Sequence, residues 1–448
     1  MFSAKNKCFA KICAGLITVS ILSGCSILGG DGDNEKATPT LGKRTNILTG
    51  ESGAAVDPAL AGIQVIVPAP RANADWAQSG GNAGKSVGHV ALGSASTRVW
   101  TADISGTNKR ERLAAAPVVA GGRLFAVDTQ ATVHAFDAAT GAKAWSTQME
   151  VKSDGKPSRF GGGVSAQGTT VYATNGVGDV VALSAADGSQ LWKVRPAGPL
   201  RGAPTISNGN VYVMTQDNQI YALSQSDGSV QWNEAGTVGL AGIFGVAAPA
   251  AAQGTVIAGY SSGELTAYRY ENGRNLWNDA LARTSISTSV ATLSDIDADP
   301  VIDRGRVFAL GQGGRMAAYE LVTGQRIWEL NIAGIATPVI SGEWVFVLTD
   351  DAKLLCIARP TGKVRWISQL AAYRNEEKKK NPINWTGPVL AGNRLIVAST
   401  EGEVVSISLG EGSSTTLVDL KQGVSLPPVV AGEMLYILDN SGRISAFR

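Results

Sequence analysis

Seven segments of eleven residues in this chain share one pattern: a small residue or Cys first, Gly seventh and, in all but one, Trp last. The cleanest copy is Ala135 to Trp145, AFDAATGAKAW, and its echoes end at Trp192, Trp232, Trp277, Trp328 and Trp366. The seventh, Ser406 to Thr416, keeps Gly412 and loses the indole. Self-similarity at a period of about 40 residues means one supersecondary unit copied many times, which outranks any domain count taken from length.

The residues between the copies say what the unit is. Each begins with a Pro and a short apolar run at Pro117, Pro204, Pro249, Pro300, Pro338, Pro388 and Pro428, while the copy near Gly163 lacks the Pro. A tight turn such as Gly121-Gly122 or Asn208-Gly209 follows, then a β-branched and aromatic run such as Val211 to Met214 or Val345 to Leu348. A polar turn leads to a third strand, and the motif Gly makes the turn into a fourth. Four antiparallel strands per unit make the blade of a β-propeller, so an all-β fold is expected. The 54 Gly in the chain suit that better than helices do.

The last unit supplies three strands and reaches Ala446-Phe447-Arg448, while Thr97 to Ile104 reads as a fourth strand with no blade before it. Docking that N-terminal strand beside the last three closes the ring and removes two open edges. Seven internal fourth strands plus this one give eight blades. The motif indoles, with Trp100, are expected to pack blade on blade: Trp145, Trp192, Trp232, Trp277, Trp328 and Trp366.

Charge excludes a nucleic-acid surface: the formal value is +2, and removing a leader with Lys5, Lys7 and Lys11 leaves 2 − 3 = −1. Cys8, Cys13, Cys25 and Cys356 allow no disulfide framework once the leader is gone, and Cys356, at the motif's small-residue position, reads as a buried thiol. With two histidines, His89 and His134, the chain lacks the usual acid–base constellations, and neither a cofactor nor a metal is expected. Asp295-x-Asp297-x-Asp299 starts like a calcium loop, but Pro300 and Arg306 stand where Gly and Glu are needed. Glycine runs at 161–163 and 311–314 lack the Lys of a phosphate loop and read as turns, and Glu376 to Lys380 reads as a solvated tip.

Residues 1–24 combine a basic start with an apolar run too short to span a bilayer. Leu22-Ser23-Gly24-Cys25 resembles the lipobox of bacterial lipoproteins, which implies lipid on Cys25. Ser26, rather than Asp, implies sorting to the outer membrane, facing the periplasm. Residues 25–71, rich in small and polar residues, are expected to form a flexible tether, and 72–448 the propeller.

The pattern A-x-D-x-x-T-G-x-x-x-W resembles the tryptophan-docking repeat of pyrroloquinoline-quinone dehydrogenase propellers, shared with the BamB family of outer-membrane assembly lipoproteins. Leu293-Ser-Asp-Ile-Asp297, just before Pro300, is similar to a BamB segment. That resemblance covers residues from about 72 onward and implies a non-catalytic scaffold that binds a POTRA domain of BamA, with other assembly subunits as companions, and assists insertion of barrel proteins. It implies contacts from Asp295 and Asp297 and from the loop one blade earlier, with Leu240, Ile243 and Phe244. Many family members place Arg where Phe244 stands. From the residues alone, Asp295 and Asp297 fit either a protein contact or a solvated acidic loop, and Phe244 either an exposed anchor or a cap on the core. The connections entering each blade vary in length and emerge on one side of the ring, which marks a binding side. A quinone-dependent dehydrogenase and a propeller binding cell-wall polymer or exported substrate are the competing classes; no adjacent cysteines or haem attachment motif support the first.

Overall fold

The computed structural model describes residues 54–149, 161–237, 247–281 and 295–448. These form eight four-stranded antiparallel sheets arranged as the blades of a propeller. Blade 1 is Val118–Ala120, Arg123–Val127, Thr132–Asp137 and Lys143–Gln148, paired in that order, and blades 2 to 7 repeat it. Blade 8 takes Val429–Ala431, Met434–Leu438 and Arg443–Phe447 from one part of the chain and Arg98–Asp103 from another. Its closing register sets Trp100 opposite Ala446 and Asp103 opposite Arg443, as the orphan strand in the sequence required. Among the described residues the only helical element is a turn at Pro58–Leu60.

The motif's chemistry is visible at each junction. Gly141, Gly188, Gly228, Gly273, Gly324, Gly362 and Gly412 all have φ between +71° and +77°, where an L side chain is strained. Each lies under the indole of the preceding blade: a Cβ on Gly141 would stand 2.5 Å from Trp100, and one on Gly324 2.5 Å from Trp277. The indole N–H then donates to a carbonyl of the same turn, Trp100 to Ala138 at 3.0 Å, Trp277 to Leu321 at 2.8 Å and Trp366 to Leu409 at 2.8 Å. A large apolar face is buried and its one polar atom is satisfied in a single contact. Trp145, Trp232 and Trp328 are buried in the same way, and Trp192 is partly buried.

First strands of neighbouring blades line the central channel, tied by bonds such as Ser165 Oγ to Pro204 O and Thr205 Oγ1 to Pro249 O, both 2.6 Å. Their inward backbone groups would be open edges, and residues 73–90 cover them. This strap runs once round the channel. Asn73 bonds to Val430 and Gly432 of blade 8, Trp76 to Val119 of blade 1 through both backbone groups, and Ala77 to Ala166 of blade 2. The Gln78 side-chain amide imitates a peptide against Ile206 of blade 3, donating to its carbonyl at 3.0 Å and accepting from its N–H at 2.8 Å. Ala83 meets Ala251 of blade 4, Gly84 meets Ile302 of blade 5, and Val90 meets Leu390 and Gly392 of blade 7.

The expected tether is therefore shorter than residues 25–71. Val56 bridges to Val364, Lys363 pairs with Asp57 at 2.8 Å, Arg365 Nε donates to Ile63 O, and Val65 and Val67 pack on the core of blades 6 and 7. Val65 and Val67, alternating with exposed residues, carry the docking that composition alone obscured.

Candidate functional site

The strap meets the first strands at their middle and in the turns that follow them, so it closes one mouth of the channel. The opposite mouth is built by the segments that lead into each first strand. It opens into a cavity of about 590 Å³ whose floor is the strap at Trp76, Ser79 and Lys85.

Asp295, Asp297 and Asp299 lie at this mouth, entering blade 5, and the reading of a solvated acidic loop is corrected there: all three are buried. The cause is Arg201, which leads into blade 3. Its guanidinium donates to Asp295 Oδ1 at 2.8 Å and to Asp297 Oδ1 at 3.2 Å, spanning blade 4. Expectation placed the two carboxylates at a partner surface; as folded, their side chains are turned inward to this cation. Asp299 accepts from Ala248 N at 2.7 Å and from Ser79 Oγ at 2.5 Å, so the lead-ins to blades 4 and 5 and the strap are joined at one carboxylate. Neither arrangement gathers the three carboxylates round a common point, as a calcium loop would.

Burial and the neighbouring Asp295 charge push the Asp297 carboxyl up to about 7, against the pull of Arg201. Burial likewise lowers the Lys85 ammonium to about 8, with Asp299 opposing. Lys85 Nζ donates to Thr205 Oγ1 at 3.0 Å. Sequence reasoning missed Arg201. Its signal was present: Leu200-Arg201-Gly202 stands in the lead-in just before Pro204, as the Asp295 to Asp299 run stands just before Pro300.

Leu240, Ile243, Phe244 and Cys25 lie outside the described residues. Their neighbours are placed, however. Ala248, which follows the first three in sequence, donates its N–H to Asp299, so Ala247–Ala248 lie beside the segment that begins at Asp295. The Glu376 to Lys380 stretch caps an exposed hairpin of Tyr373–Asn375 and Lys380–Pro382 on the same face. His134 is bonded through Nε2 to Asp128 at 3.0 Å, and His89 joins Pro68 O to Asn393 N, so both rings are held within the fold. Cys356 is buried, which pushes its thiol up.

A family profile described as outer membrane protein assembly factor BamB matches residues 85–158 and 132–368. The chain is 28% identical over 356 residues to BamB of Yersinia pestis, covering 78% of this chain and 88% of the relative. It is 26% identical over 427 residues to BamB of Salmonella typhimurium, covering 94% of each. Among solved structures, BamB from Moraxella catarrhalis superposes with a TM-score of 0.67 at 21% identity, covering 79% of this chain and 99% of the other. A quinohemoprotein alcohol dehydrogenase from Comamonas testosteroni superposes at 0.64 with 14% identity, covering 84% and 80%, which is likeness of fold alone. With the profile spanning more than half of the chain, this protein belongs to the BamB family of outer membrane protein assembly factors.

Proposed function

We propose that the chain is a non-catalytic scaffold, anchored by lipid on Cys25 to the periplasmic face of the outer membrane, which binds a POTRA domain of BamA through the open mouth of the propeller. The observation that carries this reading is the bond from Ala248 N to Asp299 Oδ1 together with the Arg201 clamp. These bonds hold Ala247–Ala248 beside the segment that begins at Asp295; in this reading Leu240, Ile243 and Phe244 and the residues before Asp295 act as one surface. In this reading Asp295 and Asp297 hold the loop in place, and the apolar loop residues make the contact. Phe244, in place of the family Arg, makes that contact less sensitive to salt.

The test is capture of BamA from membranes by the lipidated protein and by Phe244→Glu and Leu240→Glu variants that melt like the parent. Loss of capture in both is expected; undiminished capture removes these residues from the interface. Cys25→Ser is expected to release the protein from the membrane fraction into the soluble one.

A further inference from the structure

The strap shows what the inner edges of this propeller accept: an extended chain, laid across the middle residue of a first strand. Blades 1 to 5, 7 and 8 are served in this way. In blade 6 the corresponding residue is Ile340, in the strand Val339–Ser341. Among the described residues the strap makes no backbone bond to it, since the strap crosses from Gly84 on blade 5 to Val90 on blade 7. Ile66 and Pro68 lie over Gly342 in the turn that ends this strand, beyond Ile340 itself. Ile335, Thr337, Pro338, Val339 and Ile340 line the cavity from its mouth down to the strap.

The walls beside this gap are acceptor-rich. Asp350, in the turn between the second and third strands of blade 6, lines the cavity, as does Asp297 from blade 5. Gln312 of blade 5 presents a buried Oε1 with no hydrogen-bond partner to the same wall. Asp297 is already committed to Arg201, and Asp299 to Ala248 N and Ser79. The cations are on the far side: Lys85 points to Thr205 of blade 3, and Arg112 precedes blade 1. In a ring of eight, blade 6 faces blade 2, between those two. A cavity of about 590 Å³ with apolar walls and a few convergent polar groups has the size and make-up of a ligand site.

We propose that this cup binds an extended, positively charged peptide segment, which pairs its backbone with the open inner edge at Ile340 and presents a Lys or Arg side chain to Asp350. It is strand addition on an inner edge, with the strap as the built-in precedent. The site is distinct from the BamA surface proposed above, because it lies inside the channel and uses none of the loop residues 238–246.

The experiment is fluorescence anisotropy of a labelled, alternating Lys-Val hexapeptide with the full mature protein. Comparison peptides are the Glu-Val counterpart and a Lys-Val peptide methylated on alternate backbone nitrogens. Saturable binding of the Lys-Val peptide is expected, at least fivefold weaker for Asp350→Lys and for the methylated peptide, and absent for Glu-Val. Asp350 is exposed, and a melting curve verifies that the Asp350→Lys variant keeps the fold. No saturable binding, equal binding of the Glu-Val peptide, or undiminished affinity of the methylated peptide each overturns the proposal. BamA capture by Asp350→Lys is expected to be unchanged, which keeps the two readings separable.

Discussion

The indole of Trp366 covers Gly412: a Cβ on that glycine would stand 2.8 Å from the ring, and the indole N–H donates to Leu409 O in the same turn. Four residues further on, Thr416 occupies the position where every other copy has Trp. The reason is the seam. An indole at 416 would dock on the turn between the third and fourth strands of blade 8, but those strands, Arg443–Phe447 and Arg98–Asp103, are not consecutive and no turn joins them. Gly412 is kept because Trp366 needs it, and the Trp is dispensable where no glycine turn follows.

Replacing a docked indole by Ala, as in Trp277→Ala, should lower stability by roughly 3 to 5 kcal/mol, the usual range for large-to-small core changes. Gly324→Ala should be similarly damaging, because its Cβ would enter the Trp277 ring. Thr416→Trp should give no gain, within about 0.5 kcal/mol, since no turn waits for it. Denaturant titrations of the three variants decide the matter; a clear stabilisation by Thr416→Trp would refute the seam argument.

Removing residues 427–448 takes away three strands of blade 8 and leaves Arg98–Asp103 unpaired, with Trp100 no longer against Tyr436. The truncated chain should lose cooperative melting and become protease-sensitive. A soluble truncation with one sharp transition would show that the ring does not depend on its closure.

Blade number and closing strand were legible because a repeat states its rule many times, and Trp145 with Gly188 can be read without knowing anything distant. Arg201 with Asp295 was not legible. The two are joined across an intervening blade, and no local spacing links a basic residue before Pro204 to an acidic one before Pro300. The strap was hidden for a related reason. Its residues bond through their backbone to one blade after another, so they carry neither strand alternation nor the motif, and their small, polar composition looks like linker.

Gln78 offers a direct measure of the strap. Its side chain is buried and serves both backbone groups of Ile206, so Gln78→Ala leaves a donor and an acceptor unpaired at a cost of about 1 to 3 kcal/mol. Amide exchange at Ile206 should accelerate markedly, while that at Ile302, held by Gly84 O, should not change. Uniform acceleration at both positions would mean that the strap unfolds as a whole rather than pairing blade by blade.

The Arg201 clamp gives a pH dependence whose sign differs from that of an ordinary ion-paired carboxylate. Folding raises Asp297 from the usual value near ~3.9 to about 7, so the folded state favours its protonated form. The associated stability is fully present below about pH 4 and is lost as the pH rises through about 7. Asp297→Asn removes this titration while Asp295 still accepts from Arg201 at 2.8 Å. From about pH 5 to about pH 8 the variant should therefore gain on the parent by up to roughly 2 kcal/mol, whereas Arg201→Ala, which strands two buried carboxylates, should cost about 3 to 5 kcal/mol at neutral pH. Urea titrations of parent and variants across that range check both. A difference between Asp297→Asn and the parent that stays constant with pH would show that Asp297 ionises normally in the folded protein.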